Sequence, residues 1–261
     1  MAKKRLMGVV TVRDGRAVQS FEYRRYLPLG DPVVLVENLD RWGADEILVQ
    51  SIDRSRSDRG PDWELLDRLA NLETKTPLVY AGGIRSIEDG IEVVRRGADR
   101  IAIDAMLRTN LDVVPKIAQQ LGAQAVIAAL PLTWSDTGLK WFDYQTHQSE
   151  PLPPGVLEMM RSRVISEALL IDWQHEGGFE AFDVRLVDEF PIDDERLVCF
   201  GGVSSARLGE QLLAIPEVAA IAVGNTLSYR EHAIQEFKAG LVLGGARAPV
   251  YSNANGMVRN G

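Results

Sequence analysis

Short, continuously apolar stretches recur along the whole chain, and segments with helical periodicity lie between most of them. The apolar stretches predict strands at 5–12, 46–53, 77–82, 99–104, 125–131, 167–172, 196–201 and 219–225. The helical pattern is clearest at 32–43, 62–73, 86–97, 110–121, 205–214 and 229–239. Asp31 before Pro32 and Ser86 before Ile87 are suitable helix-start residues. Because apolar strands must be covered on both faces, the alternation predicts parallel strands packed under helices.

The two halves of the chain carry the same pattern. Residues 79–104 form a strand pattern ending in Gly-Gly, a helix pattern and a second strand pattern, and residues 198–224 repeat that order. The preceding units, 43–70 and 166–190, also correspond. A period near half the chain length indicates two fused half-barrels. An open, doubly wound sheet would also alternate strand and helix, but two equal halves close a barrel without leaving a sheet edge.

We therefore predict an α/β fold, a single (βα)8 TIM barrel built from two repeated half-barrels. The barrel is expected to span 1–244, with half-barrels at about 1–122 and 123–244, and 245–261 form a C-terminal tail. Residues 131–155 do not fit a helix and predict a long loop or short hairpin after the fifth strand. Insertions of this kind lie at the carboxyl ends of barrel strands, where active sites are built.

Composition and charge narrow the functional classes. The chain has 261 residues, 46% of them hydrophobic, which suits one barrel with a substantial core. Its formal net charge of -8 argues against a nucleic-acid partner. No apolar run reaches membrane-spanning length, and the start of the chain lacks a signal-peptide cleavage site. The single cysteine, Cys199, lies in an apolar strand and fits a reducing compartment. We expect a cytoplasmic protein that binds neither nucleic acid nor membrane.

Several motifs follow one another in an order found in a known family. They are RLMGVVTVRDGRAV (5–18), GDPVVLVENLDRWGADEILVQSID (30–53), AGGIRSIEDG (81–90), RRGADRIAID (95–104), LGAQAVIAA (121–129) and SYRE (228–231). Through them the chain resembles the HisF-like cyclase subunit of imidazole glycerol phosphate synthase and, more distantly, the ProFAR isomerase of the same histidine pathway. The resemblance implies that ammonia from a glutaminase subunit enters the base of the barrel. It then reacts at the top with a bisphosphorylated ribonucleotide, and two aspartates do the acid–base work.

The catalytic positions of that family are altered in this chain. The aspartates at the ends of strands one and five fall on Thr11 and Pro131, and a lysine of the first catalytic loop falls on Gln19. Threonine and proline cannot exchange a proton near neutral pH, as general acid–base catalysis requires. The resemblance therefore implies a divergent paralogue with a degenerate cyclase site.

Other polar residues at strand ends are weaker candidates for catalysis. Asp53, Asp172 and His175 lie where barrel enzymes carry functional side chains. Asp172 and His175 suit an acid–base or metal-binding pair, although His175 also fits a solvated loop residue. No cysteine–histidine cluster has metal-ligand spacing, so we expect neither a metal site nor a cofactor.

Glycine-rich turns at the ends of strands point to phosphate binding, because their backbone N–H groups can surround an anion. The second half keeps the set Gly177, Gly178, Gly201, Gly202, Gly224, Asn225 and Thr226. The first half keeps Gly82 and Gly83, but Asp104 replaces the family's asparagine, and a carboxylate there would repel a phosphate. We predict a second-half site for a phosphorylated small molecule and a weaker first-half site. The same glycines also suit tight strand–helix turns.

The resemblance also extends to the starts of the strands. In the family a ring of charged residues gates the ammonia entrance, and the matching residues are Arg5, Glu46, Arg100 and Glu167. Asp99 matches an acidic residue that docks the glutaminase. Charged residues at this end of a barrel also serve stability alone. Because all four positions keep a charge while the catalytic positions have lost theirs, we interpret the ring as a retained ammonia gate.

Three functions follow as hypotheses. The first is a HisF-like synthase subunit of a glutamine amidotransferase complex, with a degenerate cyclase site, which receives ammonia from a glutaminase at the N-terminal face of the barrel. Its acceptor would differ from the histidine-pathway substrate, and amidino-sugar or surface-polysaccharide synthesis is one candidate pathway. The second is an imidazole glycerol phosphate synthase cyclase, a lyase of histidine biosynthesis, that uses non-standard residues. The third is a non-catalytic binding or scaffold barrel.

Overall fold

Eight parallel strands close into a barrel. The computed structural model describes residues 3–55, 57, 59–192, 196–228, 232–241, 244–252 and 258–260. Its strands are β1 (Arg5–Arg13), β2 (Arg16–Phe21), β3 (Arg25–Gly30), β4 (Glu46–Ser51), β5 (Leu78–Ala81), β6 (Arg100–Ile103), β7 (Val126–Ser135), β8 (Gly138–Asp143), β9 (Gln148–Glu150), β10 (Glu167–Asp172), β11 (Leu197–Phe200), β12 (Val218–Val223), β13 (Val250–Ser252) and β14 (Val258–Asn260). Around the barrel the order is β1, β4, β5, β6, β7, β10, β11 and β12, and β12 pairs with β1. The predicted (βα)8 barrel and its eight strands are confirmed.

The helices cover the barrel and largely follow the predicted segments. They are α1 (Pro32–Arg41), α2 (Trp63–Ala70), α3 (Ile87–Arg95), α4 (Ala105–Thr109), α5 (Val114–Leu121), α6 (Pro154–Arg161), α7 (Arg185–Asp188), α8 (Ala206–Leu213) and α9 (Ala233–Ala239). Asp31 and Ser86 cap α1 and α3 by accepting from the backbone N–H of Val33 and Asp89, as predicted. The sequence pattern misses the short α4 and α7 and also α6, which begins within a proline-rich stretch. Residues 229–231 of the last predicted helix, and of the SYRE motif, lie outside the described residues. None of the described helices has the length and apolar character needed to cross a membrane.

Two antiparallel extensions rise from the carboxyl ends of barrel strands. The predicted hairpin after the fifth barrel strand is present, since β7 pairs with β8 and β8 with β9. The sequence pattern misses a second extension, in which β2 pairs with β1 and β3 pairs with β2. Its residues alternate without a clear apolar face, so the local pattern gives no strand signal there.

The two halves make the same backbone contact at their Gly-Gly turns. Gly82 has φ +125° and Gly201 has φ +100°, conformations that side chains disfavour. A Cβ at Gly82 would collide with the carbonyl oxygen of Ser51, and one at Gly201 with that of Asp172. Because these glycines are required by close packing, their presence is no proof of an anion site. The half-barrel and tail boundaries stay predictions.

The barrel lumen is filled by a separate apolar core. Its buried residues point inward from alternate strand positions and are Met7, Val9, Leu48, Val79, Ala102, Ile127, Ala129, Leu169, Ile171, Trp173, Val198, Phe200, Ala220 and Ala222. A larger core lies between the strands and the helices. The lumen is therefore an apolar column between the two ends of the barrel, where polar residues gather.

Candidate functional site

Four charged side chains meet across the base of the barrel, at the starts of β1, β4, β6 and β10. Arg5 donates to Glu46 at 3.0 Å and to both carboxylate oxygens of Glu167 at 2.8 Å. Arg100 Nη1 completes the cycle, 2.9 Å from Glu46 Oε1 and 2.9 Å from Glu167 Oε2. The four predicted gate residues thus form an alternating ring of two guanidinium groups and two carboxylates, which we call the ion ring.

The ion ring is buried and internally neutralised. The side chains of Glu46 and Glu167 are 3% exposed, and those of Arg5 and Arg100 are 13% and 14% exposed. Burial acts to raise the pKa of Glu167, but the adjacent Arg5 and Arg100 outweigh it and hold that pKa below its usual value. Burial acts to lower the pKa of Arg100, but Glu167 and Glu46 outweigh it and raise that pKa. Glu167 and Arg100 therefore stay ionised at neutral pH.

Asp99, the predicted docking residue, lies at the surface beside the ion ring. One of its oxygens accepts from the backbone N–H of Leu78 at 2.8 Å, at the start of β5, while the side chain stays exposed. Asp45 makes the equivalent contact with the N–H of Leu6 at 2.8 Å. Asp99 therefore supports a strand end, and its role in docking stays a prediction.

A cavity of about 140 Å³ opens at the other end of the barrel, above the apolar lumen. Pro131 and Gln50 line it, and Gln50 Nε2 donates to Thr11 Oγ1 at 2.7 Å. Pro131 lines the cavity and Thr11 contacts the lining residue Gln50, so neither of the two positions that the resemblance makes catalytic supplies an acid or base. Gln19 is buried on β2, and its Nε2 finds no hydrogen-bond partner among the described residues.

The walls of this cavity are aromatic. Phe142 from β8 stacks on Trp173 after β10, with ring centroids 3.8 Å apart and planes 16° apart. The two extensions supply the remaining aromatic lining, which is Tyr23, Tyr26, Tyr144 and His147. Burial raises the pKa of Tyr23 and of Tyr144, so both phenols stay protonated at neutral pH. We call this site the aromatic cavity.

Asp104 is held by three donors at one side of the aromatic cavity. Tyr144 Oη donates to its Oδ2 at 2.8 Å, and the N–H of Ala105 donates to its Oδ1 at 2.6 Å. Ser55 Oγ donates to Oδ1 at 3.4 Å and accepts from the N–H of Gly83 at 2.9 Å. The first-half turn predicted to bind phosphate therefore already gives an N–H to a serine and faces a carboxylate.

Asp53 and Asp172 have protein partners of their own. Asp53 forms an ion pair with Arg59. Asp172 is 1% exposed, and its Oδ2 lies 2.8 Å from His175 Nδ1 and accepts from the N–H of Asp183 at 2.8 Å. Burial raises the pKa of Asp172, although these hydrogen bonds oppose the rise. The predicted pair of Asp172 and His175 is thus assembled, with the histidine ring 44% exposed.

All seven second-half residues predicted to bind phosphate line one small cavity. Its volume is about 30 Å³, and Val203 and Ser204 before α8 also line it. The lining residues predicted from the sequence are Gly177, Gly178, Gly201, Gly202, Gly224, Asn225 and Thr226. Asn225 holds the hairpin of β2 and β3, donating to the carbonyl of Ser20 at 2.7 Å and accepting from its N–H at 3.3 Å. The geometry suits an anion at a helix start, and binding there stays a prediction.

The sequence gives no sign of a buried carboxyl beside this cavity. Glu176 is 3% exposed and accepts from Ser20 Oγ at 2.8 Å and from the N–H of Tyr23 at 3.3 Å. Burial raises its pKa to about 7, against these two hydrogen bonds. Near neutral pH the group therefore changes charge at the junction between the small cavity and the hairpin.

Sequence reasoning also misses the aromatic cavity. Phe142 and Tyr144 lie in the 131–155 insertion, and Tyr23 lies in the loop between β2 and β3. The signal that could have found them is the clustering of aromatic residues in two segments that follow barrel strands. Among the described residues, no group of three or more His, Cys, Asp or Glu side chains is placed to hold a metal ion.

Fold and site define a class of protein, a closed (βα)8 barrel with an ion ring at its amino end and glycine-rich turns at its carboxyl end. A family described as "Histidine biosynthesis protein" matches residues 5–232, and the chain belongs to that family.

Three curated relatives that this chain resembles share a name. Imidazole glycerol phosphate synthase subunit HisF of Pyrococcus furiosus is 27% identical over 247 residues, covering 91% of this chain and 95% of the relative. The protein of that name from Natranaerobius thermophilus is 24% identical over 241 residues, which cover 91% of this chain and 95% of the relative. The protein of that name from Myxococcus xanthus is 29% identical over 212 residues, which cover 79% of this chain and 82% of the relative. The chain is thus similar to these subunits over most of its length.

Proposed function

We propose that the chain is a HisF-like synthase subunit of a glutamine amidotransferase complex. It takes ammonia from a glutaminase partner at the amino-terminal face of the barrel and passes it to an acceptor other than the histidine-pathway substrate. The observation that carries the proposal is a contrast between the two ends. The ion ring is complete, whereas the two positions that would carry the catalytic carboxylates are Thr11 and Pro131.

The base of the barrel supports ammonia entry. The ion ring closes the lumen, and the core above it is apolar. Neutral ammonia crosses such a lumen at far lower cost than ammonium, because burying an unpaired charge is strongly unfavourable. Opening the ion ring would therefore admit ammonia and reject its protonated form.

The top of the barrel supports a changed acceptor. Thr11 Oγ1 is occupied by Gln50, and Asp104 is held by Tyr144, Ser55 and a backbone N–H. Losing a general acid or base costs on the order of 10²–10⁴-fold in rate for each group. An enzyme that has lost both is a poor cyclase, but it still offers a cavity in which ammonia can meet another electrophile.

A second candidate function is a cyclase that uses non-standard residues. The names of the relatives favour it, and so does one observation, the contact between buried Asp172 and His175. Against it, neither residue is among those that line the aromatic cavity. The third candidate, a scaffold barrel, would use the ion ring for stability alone.

The deciding experiment measures ammonia-dependent turnover of the histidine-pathway substrate by the purified chain. We expect turnover at least 10³-fold below that of an ordinary cyclase, in line with the loss of two acid–base groups. Turnover within tenfold of an ordinary cyclase, or rescue of a histidine auxotroph, would establish the second candidate instead. Failure to bind or stimulate any glutaminase encoded beside its gene would leave the scaffold barrel.

A further inference from the structure

The aromatic cavity has room for one small ring. Its volume of about 140 Å³ is close to the roughly 150 Å³ of an engineered protein cavity that takes up benzene. Apolar side chains of Ala129, Leu169 and Ile171 line it beside the stacked rings of Phe142 and Trp173. An aromatic face carries partial negative charge and attracts polarised C–H groups, such as those on the faces of a sugar ring.

Polar groups at the same cavity suit hydroxyl groups. Trp173 is 8% exposed, and its Nε1–H has no hydrogen-bond partner among the described residues. A buried N–H without a partner is unfavourable, so this edge of the ring is a polar group that the described residues leave unsatisfied. Across the cavity, Asp104 has two carboxylate oxygens, each with more than one lone pair, so it can accept from a ligand hydroxyl while keeping its present donors.

The charges at the cavity disfavour phosphate. The carboxylate of Asp104 faces the turn at Gly83, and Ser55 already accepts from the N–H of that glycine. At the rim, Arg24 lies 3.8 Å from the carboxylate of Glu22, so this cation is partly neutralised. A phosphorylated ligand would meet the partly buried negative charge of Asp104, and the backbone N–H of Gly83 would already be bound to Ser55.

From these contacts we infer that the aromatic cavity binds one uncharged, hydroxyl-bearing six-membered ring, the chemistry of a free pyranose. The inference rests on the proposed function, since ammonia would replace the anomeric hydroxyl of such a ring, with a C–N bond formed, the C–O bond broken and water released. The sugar packs against the Phe142–Trp173 pair and donates a hydroxyl to Asp104.

The test measures binding of three probes to the full chain without glutaminase or ammonia, by ligand-observed NMR and titration. The probes are methyl glucopyranoside, glucose 6-phosphate and phenol. We expect saturable binding of the glucoside with a Kd near the millimolar range, and at least tenfold weaker binding of the other two. Tighter binding of glucose 6-phosphate or phenol, or no saturable binding of the glucoside, would overturn the inference.

Variants place the binding at this cavity. Phe142→Ala should weaken glucoside binding about tenfold, because it removes the stacking wall. Phe179 provides the matched control, because it is 79% exposed near the top of the barrel. Phe179→Ala should bind the glucoside as the wild type does. Unchanged glucoside binding by Phe142→Ala would overturn the inference.

Asp104→Asn tests the charge without removing the wall. Its amide oxygen can still accept from the N–H of Ala105, so α4 keeps its cap. The preference for glucoside over glucose 6-phosphate should fall below threefold, and an unchanged preference would count against the role of Asp104. Because no ammonia enters the assay, failure of sugar binding leaves ammonia transfer untouched, whereas cyclase turnover would reject the proposed function whatever sugar binds.

Discussion

Removing one carboxylate from the ion ring should destabilise the barrel far more than removing a surface carboxylate. Glu167 is 3% exposed and lies 2.8 Å from Arg5 and 2.9 Å from Arg100. Glu167→Ala leaves two largely buried guanidinium groups facing the single carboxylate of Glu46, and it also removes the 3.4 Å contact with the exposed Arg196. Breaking a buried ion pair by removing one partner costs roughly 3–5 kcal/mol, and we expect a loss of that size in the free energy of unfolding.

Urea unfolding followed by far-ultraviolet circular dichroism provides the assay, with the slope m checked for constancy. Glu158→Ala is the matched control, because Glu158 is exposed on α6 and its loss should change stability by no more than about 0.5 kcal/mol. The double variant Arg100→Met with Glu167→Leu removes one charge of each sign, and we expect it to recover more than half of the loss.

Two results would refute this reasoning. A loss below about 1 kcal/mol for Glu167→Ala would mean that the ion ring behaves like a solvated surface pair. The second result concerns the double variant. If its stability equals the value predicted by adding the effects of its two single changes, the charged partners in the ring do not interact.

Three further predictions concern the other sites. Glu176 has its pKa raised from 4.5 to about 7, so its contribution to stability is full below pH 4.5 and is lost as pH rises through 7. The free energy of unfolding, measured from pH 5 to 8, should decline by about 2.5 kcal/mol, and Glu176→Gln should abolish that decline. Inorganic phosphate should bind at the small second-half cavity and not beside Asp104. Thr226→Asp should abolish this binding by charge repulsion, and Thr226→Asn should keep it. Equal binding by both variants would show that the anion lies elsewhere. Asp99→Lys should prevent docking of a glutaminase, as measured by glutaminase pull-down. Glu46→Ala should dock normally yet release ammonia to solvent, as measured by ammonia trapping. If both variants behave as the wild type does, the ion ring is only a structural feature.

The sequence by itself determines the barrel and the ends of its strands. Apolar stretches separated by helical periodicity are local features, and all eight predicted strands are present. Arg5, Glu46, Arg100 and Glu167 each stand at or near the start of a strand, and parallel strands bring their starts to one end of the barrel. The family resemblance singles out these four residues, and their positions at strand starts then predict that they meet.

Only the tertiary structure decides which side chains the top of the barrel presents. Tyr23 and Phe142 belong to extensions far apart in the chain, and each extension is positioned by the strand it continues. No local sequence pattern predicts that the two extensions lie above the same lumen. Their position depends on where the closed barrel places β1 and β7. The aromatic cavity is a consequence of that closure.

The closed barrel also decides how the charged side chains pair and which of them have shifted pKa values. The sequence shows two cations and two anions at strand starts, but their alternation around the ion ring depends on the order of the strands in the closed sheet. Glu176 resembles any loop glutamate in the sequence, yet the hairpin of β2 and β3 covers it and raises its pKa to about 7. Burial is set by contacts between distant segments, so it is the property of this chain that the linear pattern could not supply.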